Sequence, residues 1–316
     1  MSWPDADVGW AVAFDEGTTT QLLVHTTDAG ASWSPVPIDV GEGMQVLFAD
    51  VDDGWVIGTD GVQSTHDGGT SWSAVTLPDA GTGAVGVAAA NGIVHAAYVS
   101  PSANGIRIAS SPVDHDAFVA AEITIPFGAG PALDMTMSAG GPYGELVYND
   151  RTLTGAAEIR DGKWVEWDLT CPYENPFAIA GLSPQGEALA ISCGASGFGD
   201  PAPIVGANLT RGTIEWVTIE PAEDVSTGGP TVGLVAATDA GTRIVTYTAA
   251  GGQGVVASST DGGATWQART LLPNGENASS IAHLPDGSLL LALHPSGGLV
   301  SPDGVNWTAV ATHPIG

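Results

Sequence analysis

Thr65-His66-Asp67-Gly68-Gly69-Thr70-Ser71-Trp72 is the stretch on which the reading of this chain turns. An aspartate inside a turn accepts hydrogen bonds from backbone N–H groups a few residues on, and glycine reaches positive φ at little steric cost. A tryptophan then supplies a large apolar ring to pack against a neighbouring layer. The eight residues therefore spell a tight hairpin turn anchored at its far end by an aromatic side chain. The same spelling occurs at Thr26-Thr27-Asp28-Ala29-Gly30-Ala31-Ser32-Trp33 and Ser259-Thr260-Asp261-Gly262-Gly263-Ala264-Thr265-Trp266, and one residue shorter at Ser301-Pro302-Asp303-Gly304-Val305-Asn306-Trp307.

Upstream of the first two copies lies a second shared element. Asp5-Ala6-Asp7-Val8-Gly9-Trp10-Ala11-Val12 and Asp50-Val51-Asp52-Asp53-Gly54-Trp55-Val56-Ile57 are offset by 45 residues, and each reads as a polar turn feeding a strand. A period of roughly 40 to 50 residues marks arrays and propellers. Degenerate copies fill the middle: Ser111 to Phe118 replaces the tryptophan with phenylalanine, Arg160-Asp161-Gly162-Lys163-Trp164 keeps the Asp-Gly and the ring, and Thr210 to Trp216 has lost the aspartate. Aromatic anchors thus fall at Trp33, Trp72, Phe118, Trp164, Trp216, Trp266 and Trp307, and a glycine precedes an apolar strand at Gly9, Gly54, Gly92, Gly144, Gly186, Gly241 and Gly287. Both series have seven members.

The expectation is an all-β chain, a single seven-bladed β-propeller over 1–316, with blades at 1–38, 39–80, 81–126, 127–170, 171–222, 223–273 and 274–316. Each blade has four antiparallel strands, the glycine turn joining the first to the second and the aspartate turn joining the third to the fourth. Met1 to Pro4 is all that blade 1 has for its innermost strand, so the ring closes where the two ends of the chain meet.

The four aspartate turns match the pattern Ser/Thr-x-Asp-x-Gly-x-Ser/Thr-Trp, and the chain resembles the Asp-box (BNR repeat) propeller superfamily. That group holds sialidases, xyloglucanase-type glycosidases, sortilin-like receptors and photosystem II assembly-factor propellers. The Gly-Trp strand ahead of each box looks most like the last of these, and the resemblance implies a module that binds or assembles a partner. Asp28, Asp67, Asp261 and Asp303, with Trp33, Trp72, Trp266 and Trp307, are read as structural. Sialidases need an arginine cluster to clamp a substrate carboxylate, with one arginine in an Arg-Ile-Pro-like motif early in the chain; here the first arginine is Arg107, so that motif is missing.

Charge narrows the partners. There are 35 Asp and Glu against 7 Lys and Arg, a formal −28 with Lys163 the only lysine, which repels phosphate backbones and anionic membranes and excludes nucleic acid. No run approaches the roughly 20 apolar residues of a membrane span. The seven histidines show no metal-ligand spacing, and neither a nucleophile elbow nor a phosphate loop is present, so no cofactor or metal is expected. Met1-Ser2-Trp3-Pro4 lacks the regions of a signal peptide and reads as the start of a trimmed chain whose export signal lay upstream, hence an extracellular or periplasmic location.

With both turn types on one face, the loops between second and third strands, and those between blades, open on the other. That loop face is the expected binding surface. Asp15, Glu16, Asp39, Glu42, Asp79, Phe127, Asp200, Glu223, Asp224 and Glu276 fall there, as does the set singled out for a ligand, Asp150, Arg151, Tyr173 and Glu174. Tyr173 would offer a stacking surface for a sugar ring, Arg151 a fixed donor, and Asp150 or Glu174 an acceptor or acid. The leading expectation is a binding or assembly module for a protein or glycan; the alternative is a glycan hydrolase or lyase using two loop-face carboxylates, which needs a pair about 5 to 9 Å apart with one pKa raised.

Cys171 and Cys193 are the only cysteines, and the strand plan brings both to the loop face as a disulfide that stabilises by about 3 kcal/mol. Intact mass of native, alkylated protein before and after reduction checks this: the bridge predicts no alkylation without reductant, and two reactive thiols in air-exposed protein overturn both the bridge and the export argument.

Overall fold

The computed structural model describes residues 1–14, 20–38, 40–41, 44–79, 84–102, 105–126, 134–136, 146–148, 156–160, 163–167, 176–183, 189–195, 204–210, 213–218, 231–248, 254–266, 268–273, 276–294 and 297–310. Among them the regular elements are all strands, arranged in seven antiparallel sheets that follow one another along the chain, six four-stranded and the first three-stranded. The second sheet sets the pattern. Gln45–Phe48, Asp53–Gly58, Gly61–His66 and Ser73–Ala74 lie side by side in chain order, with Gly54 opposite both Phe48 and Thr65. In the seventh, Asn277–His283, Leu289–His294, Gly298–Ser301 and Thr308–Val310 repeat it, with Leu289 opposite His283 and Ser301. The first sheet contains Gly9–Phe14, Gln21–Thr26 and Ser34–Val36. Its inner strand is reduced to one bridge: Ser2 pairs with Trp10 as Leu47 pairs with Trp55.

Each sheet packs on the next through its inner strands, Gly9–Phe14 on Gln45–Phe48, Asp53–Gly58 on Ala84–Ala90, and so on to Thr231–Ala237 on Asn277–His283. Residues from the first and last sheets line one shared cleft, so the two ends of the described chain come together. The core is accordingly divided between neighbours. Trp10, Leu23, Val40, Met44, Phe48 and Val56 fill the space between sheets 1 and 2; Trp55, Val87, Tyr98 and Phe118 do so between sheets 2 and 3; Ile244, Leu272, Leu291 and Leu299 do so between sheets 6 and 7. A sheet covered on both sides needs no polar face, which is why all of Gly254–Ser259 is buried and why these strands read as apolar runs rather than as alternation.

The aspartate turns are clasps. Asp28 Oδ1 accepts from Ser32 N (2.8 Å) and Thr26 Oγ1 (2.7 Å), and Asp28 Oδ2 accepts from Ser32 Oγ (2.6 Å). Gly30 N donates to Thr26 Oγ1 at 3.0 Å. Asp67 and Asp261 repeat every contact with Thr65, Gly69, Ser71 and with Ser259, Gly263, Thr265. The shorter turn substitutes an amide, Asn306 Nδ2 donating to Asp303 Oδ2 at 2.7 Å. These donors hold Asp28, Asp261 and Asp303 down at about 2, ionised across the physiological range.

The glycines ahead of the second strands are of two kinds. Gly92, Gly241 and Gly287 turn the chain at φ +75°, +89° and +84°, with open space where a Cβ would stand. Gly9 and Gly54 instead lie within the first two residues of their strands, and a Cβ on them would meet the rings of Trp3 and Phe48 at 2.7 and 2.5 Å. A ring lies flat on the bare backbone there. The same device joins sheets: Trp10, 1% exposed, stacks between His25 (4.0 Å) and Phe48 (4.4 Å), meets Trp72 edge-on, and reaches Gly69 in the next sheet's turn. By area alone its burial contributes roughly 4 to 6 kcal/mol, an upper figure.

Gly69 has φ +80° and an added Cβ would lie 2.2 Å from Trp10 Cη2, so Gly69→Ala is expected to destabilise by roughly 2 to 4 kcal/mol. Ala29 takes φ +57° at the position Gly68 holds in the second turn, so Ala29→Gly should be neutral or stabilising by up to about 1 kcal/mol. Urea unfolding of the two variants checks the contrast; equal losses would mean that neither backbone angle nor ring contact governs these turns.

Candidate functional site

Backbone hydrogen bonds sort the connections into two faces. On one, the turns between third and fourth strands of sheets 1 to 3 are tied to the turns between the first two strands: Ala29 N donates to Asp7 O at 3.0 Å, Gly68 N to Asp52 O at 3.0 Å, and Val113 N to Gly92 O at 3.0 Å. At the opposite ends of the strands, the segment arriving from one sheet meets the loop between second and third strands of the next. Asp60 N donates to Val40 O at 2.9 Å, and Asp79 receives Ser100 and Ser102.

Around Asp79 the described loop face gathers its polar groups. Asp79 adopts φ +54°, a left-handed angle that aspartate tolerates better than most residues, and its Oδ2 accepts from Ser100 Oγ (3.1 Å) and from Ser102 Oγ. Those two hydroxyls lead the causes that lower its pKa, with Arg107 adding its charge. Ser100 ends the strand Ile93–Ser100; two residues earlier Tyr98, fully buried, stands directly opposite Arg107 of Gly105–Pro112. Burial pushes the Tyr98 phenol up, with Arg107 opposing and Asp79 adding to the shift. Arg107 Nη2 donates to Ala121 O at 3.1 Å, and the outer pairing slips a register between Arg107 and Ala109, a bulge of the kind that re-aims a side chain. Tyr98 Oη and Arg107 Nε are buried without a hydrogen-bond partner among the described residues. Such orphans are rare in folded proteins. Two in one cross-strand pair, next to an ionised carboxylate, form a small site rich in donors.

No protein-family model and no curated protein matches the chain. Solved structures do. The protein YCF48 bound to a D1 peptide superposes with a TM-score of 0.61 at 19% identity, covering 98% of this chain and 92% of that one. YCF48 from Cyanidioschyzon merolae gives 0.60 at 19% identity over 95% and 92%, and the periplasmic gluconolactonase of Pseudomonas aeruginosa gives 0.57 at 14% over 95% and 94%. The chain is a β-propeller. At these identities the likeness is one of fold.

The site residues named from sequence fare unevenly on this propeller. Asp150, Arg151, Tyr173 and Glu174 lie outside the described residues, as do Asp15, Glu16, Asp39, Glu42, Phe127, Asp200, Glu223, Asp224 and Cys171. Cys193 lies in the strand Leu189–Ala195, opposite Ala178 and Ile204. Asp79 and Glu276 are described; Glu276 Oε2 is buried with no partner among the described residues. A general acid of the retaining or inverting kind needs a raised pKa, whereas the neighbours of Asp79 lower it and include no second carboxylate among its hydrogen bonds. Among the described residues no group of three His, Cys, Asp or Glu is placed to hold a metal. Tyr98, Ser100 and Ser102 were missed from sequence; their signal was Tyr98-Val99-Ser100-Pro101-Ser102, a strand end running into a loop with its polar residues spaced by two.

On the turn face, His66 bridges two sheets. Its Nδ1 lies 2.6 Å from Asp53 Oδ1 and its Nε2 3.4 Å from Asp116 Oδ2, which also accepts from Ser64 Oγ at 2.5 Å. Burial works against the imidazolium, but hydrogen bonds from it to Asp53 and Asp116 outweigh that and raise its pKa; burial raises Asp53, opposed by the same contact with His66. Of the two, the 2.6 Å contact argues for a charged pair near neutrality. A histidine whose folded pKa is raised contributes stability that is fully present below its unfolded value, near 6.5, and lost as pH rises through the folded one. His66→Gln is therefore expected to lose more stability relative to the parent at pH 5.5 than at pH 8.5, measured by urea unfolding; a pH-independent difference would mean that His66 is neutral between its carboxylates.

Proposed function

We propose that this chain is a seven-bladed Asp-box propeller, exported to the extracellular or periplasmic space, whose loop face binds a protein partner. The observation that carries the reading is the pair of buried donors Tyr98 Oη and Arg107 Nε, without a partner among the described residues, beside the ionised Asp79. Donors of this kind gain most when a ligand acceptor replaces the missing partner, because leaving them unmade costs about 1 to 3 kcal/mol each. Peptide segments present carbonyl and carboxylate acceptors in abundance. That one similar propeller, YCF48, was solved with a D1 peptide fits a peptide as the class of ligand.

The seven sheets are taken as the blades, and the four clasped aspartate turns as Asp-boxes, the rest being worn copies. Carbohydrate is the other ligand considered, on the loop residues Asp150, Arg151, Tyr173 and Glu174. A hydrolase or lyase reading would require a loop-face carboxylate that holds its proton, and Asp79 is pushed the other way.

Panning a random peptide library in parallel with a glycan array and a hydrolysis screen tests this. Peptide enrichment is expected, with Arg107→Ala and Tyr98→Phe each weakening an enriched peptide roughly five- to thirtyfold while the melting temperature moves little. Turnover of a glycan, or peptide binding indifferent to both substitutions, would overturn the assignment.

A further inference from the structure

Sheets 1 and 6 meet the sheets that follow them in one way, and sheet 7 departs from it. In the second strand of each of those two, the residue opposite the first residue of the aspartate turn is followed by one that reaches into the next sheet. After Gly9, opposite Thr26, comes Trp10; after Arg243, opposite Ser259, comes Ile244. Trp10 meets the turn glycine Gly69 of sheet 2, and Ile244 meets Gly304 of sheet 7, where an added Cβ would lie 2.9 Å from its Cδ1. Both are sealed, at 1% and 0% exposure. After Leu289, opposite Ser301, comes Leu290, and the turn glycine it should cover is Gly30 of sheet 1. Leu290 remains half-buried, and the atoms nearest to a Cβ on Gly30 belong instead to Trp3 and Trp33 of the same sheet.

What is left is a cavity of about 340 Å³, lined by Trp3, Trp33, Leu284, Leu290, Val300 and Asp286 among others. The two indoles meet edge-on at 5.8 Å, and Trp3 Nε1 is buried without a partner among the described residues. The volume lies within the range of small-ligand pockets. At the neighbouring seam the equivalent space holds the indole of Trp10, so the vacant shape is that of a planar ring.

Charge specifies the rest of the ligand. Residues 1–38 and 274–316 carry eight carboxylates and neither lysine nor arginine, and the α-amino group of Met1, which also lines the cavity, has its pKa lowered by burial, toward the uncharged form. Asp286 is at the wall, its pKa lowered by Ser288 Oγ and N, while Ala6 and Ala29 line the cavity next to Asp5, Asp7 and Asp28. An aromatic wall with the Asp286 carboxylate beside it favours a cation over the ring faces. We propose that this seam is a binding site for a small aromatic ammonium, its ring in the space that Trp10 fills one seam later and its charge toward Asp286. The site is on the turn face and stands or falls separately from the loop face.

Isothermal titration with 2-phenylethylamine, 2-phenylethanol and 3-phenylpropionate tests it, because the three share ring and reach and differ in charge. The amine is expected to bind with the alcohol roughly fivefold weaker and the carboxylate weaker still. Asp286→Asn should bring the amine down to the alcohol and leave the alcohol unchanged. Leu290→Trp should fill the cavity, weaken all binding by at least about tenfold and hold or raise the melting temperature; should that variant fail to fold, Ala292→Leu serves the same purpose with less added volume. Absence of saturable binding of the amine at millimolar concentration, equal affinity for the carboxylate, or full binding by a folded cavity-filled variant would each overturn the proposal.

Discussion

A flat side chain laid on a glycine backbone is the contact on which this propeller depends. Antiparallel sheets supply their own hydrogen bonds, but nothing in a ladder holds one sheet against the next. Trp10 does so for the first seam by reaching the left-handed turn at Gly69, and Phe48 and Trp72 close around it. That approach is possible only because the turn exposes backbone without a Cβ, and the turn keeps its shape only because Asp67 gathers Thr65 and Ser71. Clasp, glycine and ring form one unit in which each makes the next possible.

This dependence explains what could be read from sequence and what could not. The turns were legible because every chemical requirement of the clasp is local: hydroxyl, carboxylate, glycine and hydroxyl lie within seven residues. The Gly-Trp strands were legible for the same reason, although their glycines were assigned to turns when Gly9 and Gly54 in fact make room for Trp3 and Phe48. The loop-face site was legible only in part. Asp79 was assigned to that face, but Tyr98, Ser100 and Ser102 join it through pairings between strands and loops distant in sequence. The cavity beside Leu290 lay beyond reach, because it follows from a residue being too small for a place defined by another sheet.

Acidity takes a different meaning once the turns are drawn. Several of the 35 carboxylates are internal parts of the fold, with hydroxyl and backbone donors supplied at 2.6 to 2.9 Å, and need no countercharge. A chain with a single lysine can therefore satisfy its turn aspartates without salt bridges. The remaining acids are free to set the long-range field, which is strongest where no cation intervenes.

Because each clasp ties amides such as those of Ser32, Ser71, Thr265 and Asn306 to a carboxylate at the surface, accessibility and protection come apart in these turns. Water reaches the atoms, but exchange of their protons with solvent must wait for the carboxylate to let go. Slow-exchanging surface amides are then a record of clasp opening, turn by turn, and would report which sheets loosen first without any probe being added to the protein.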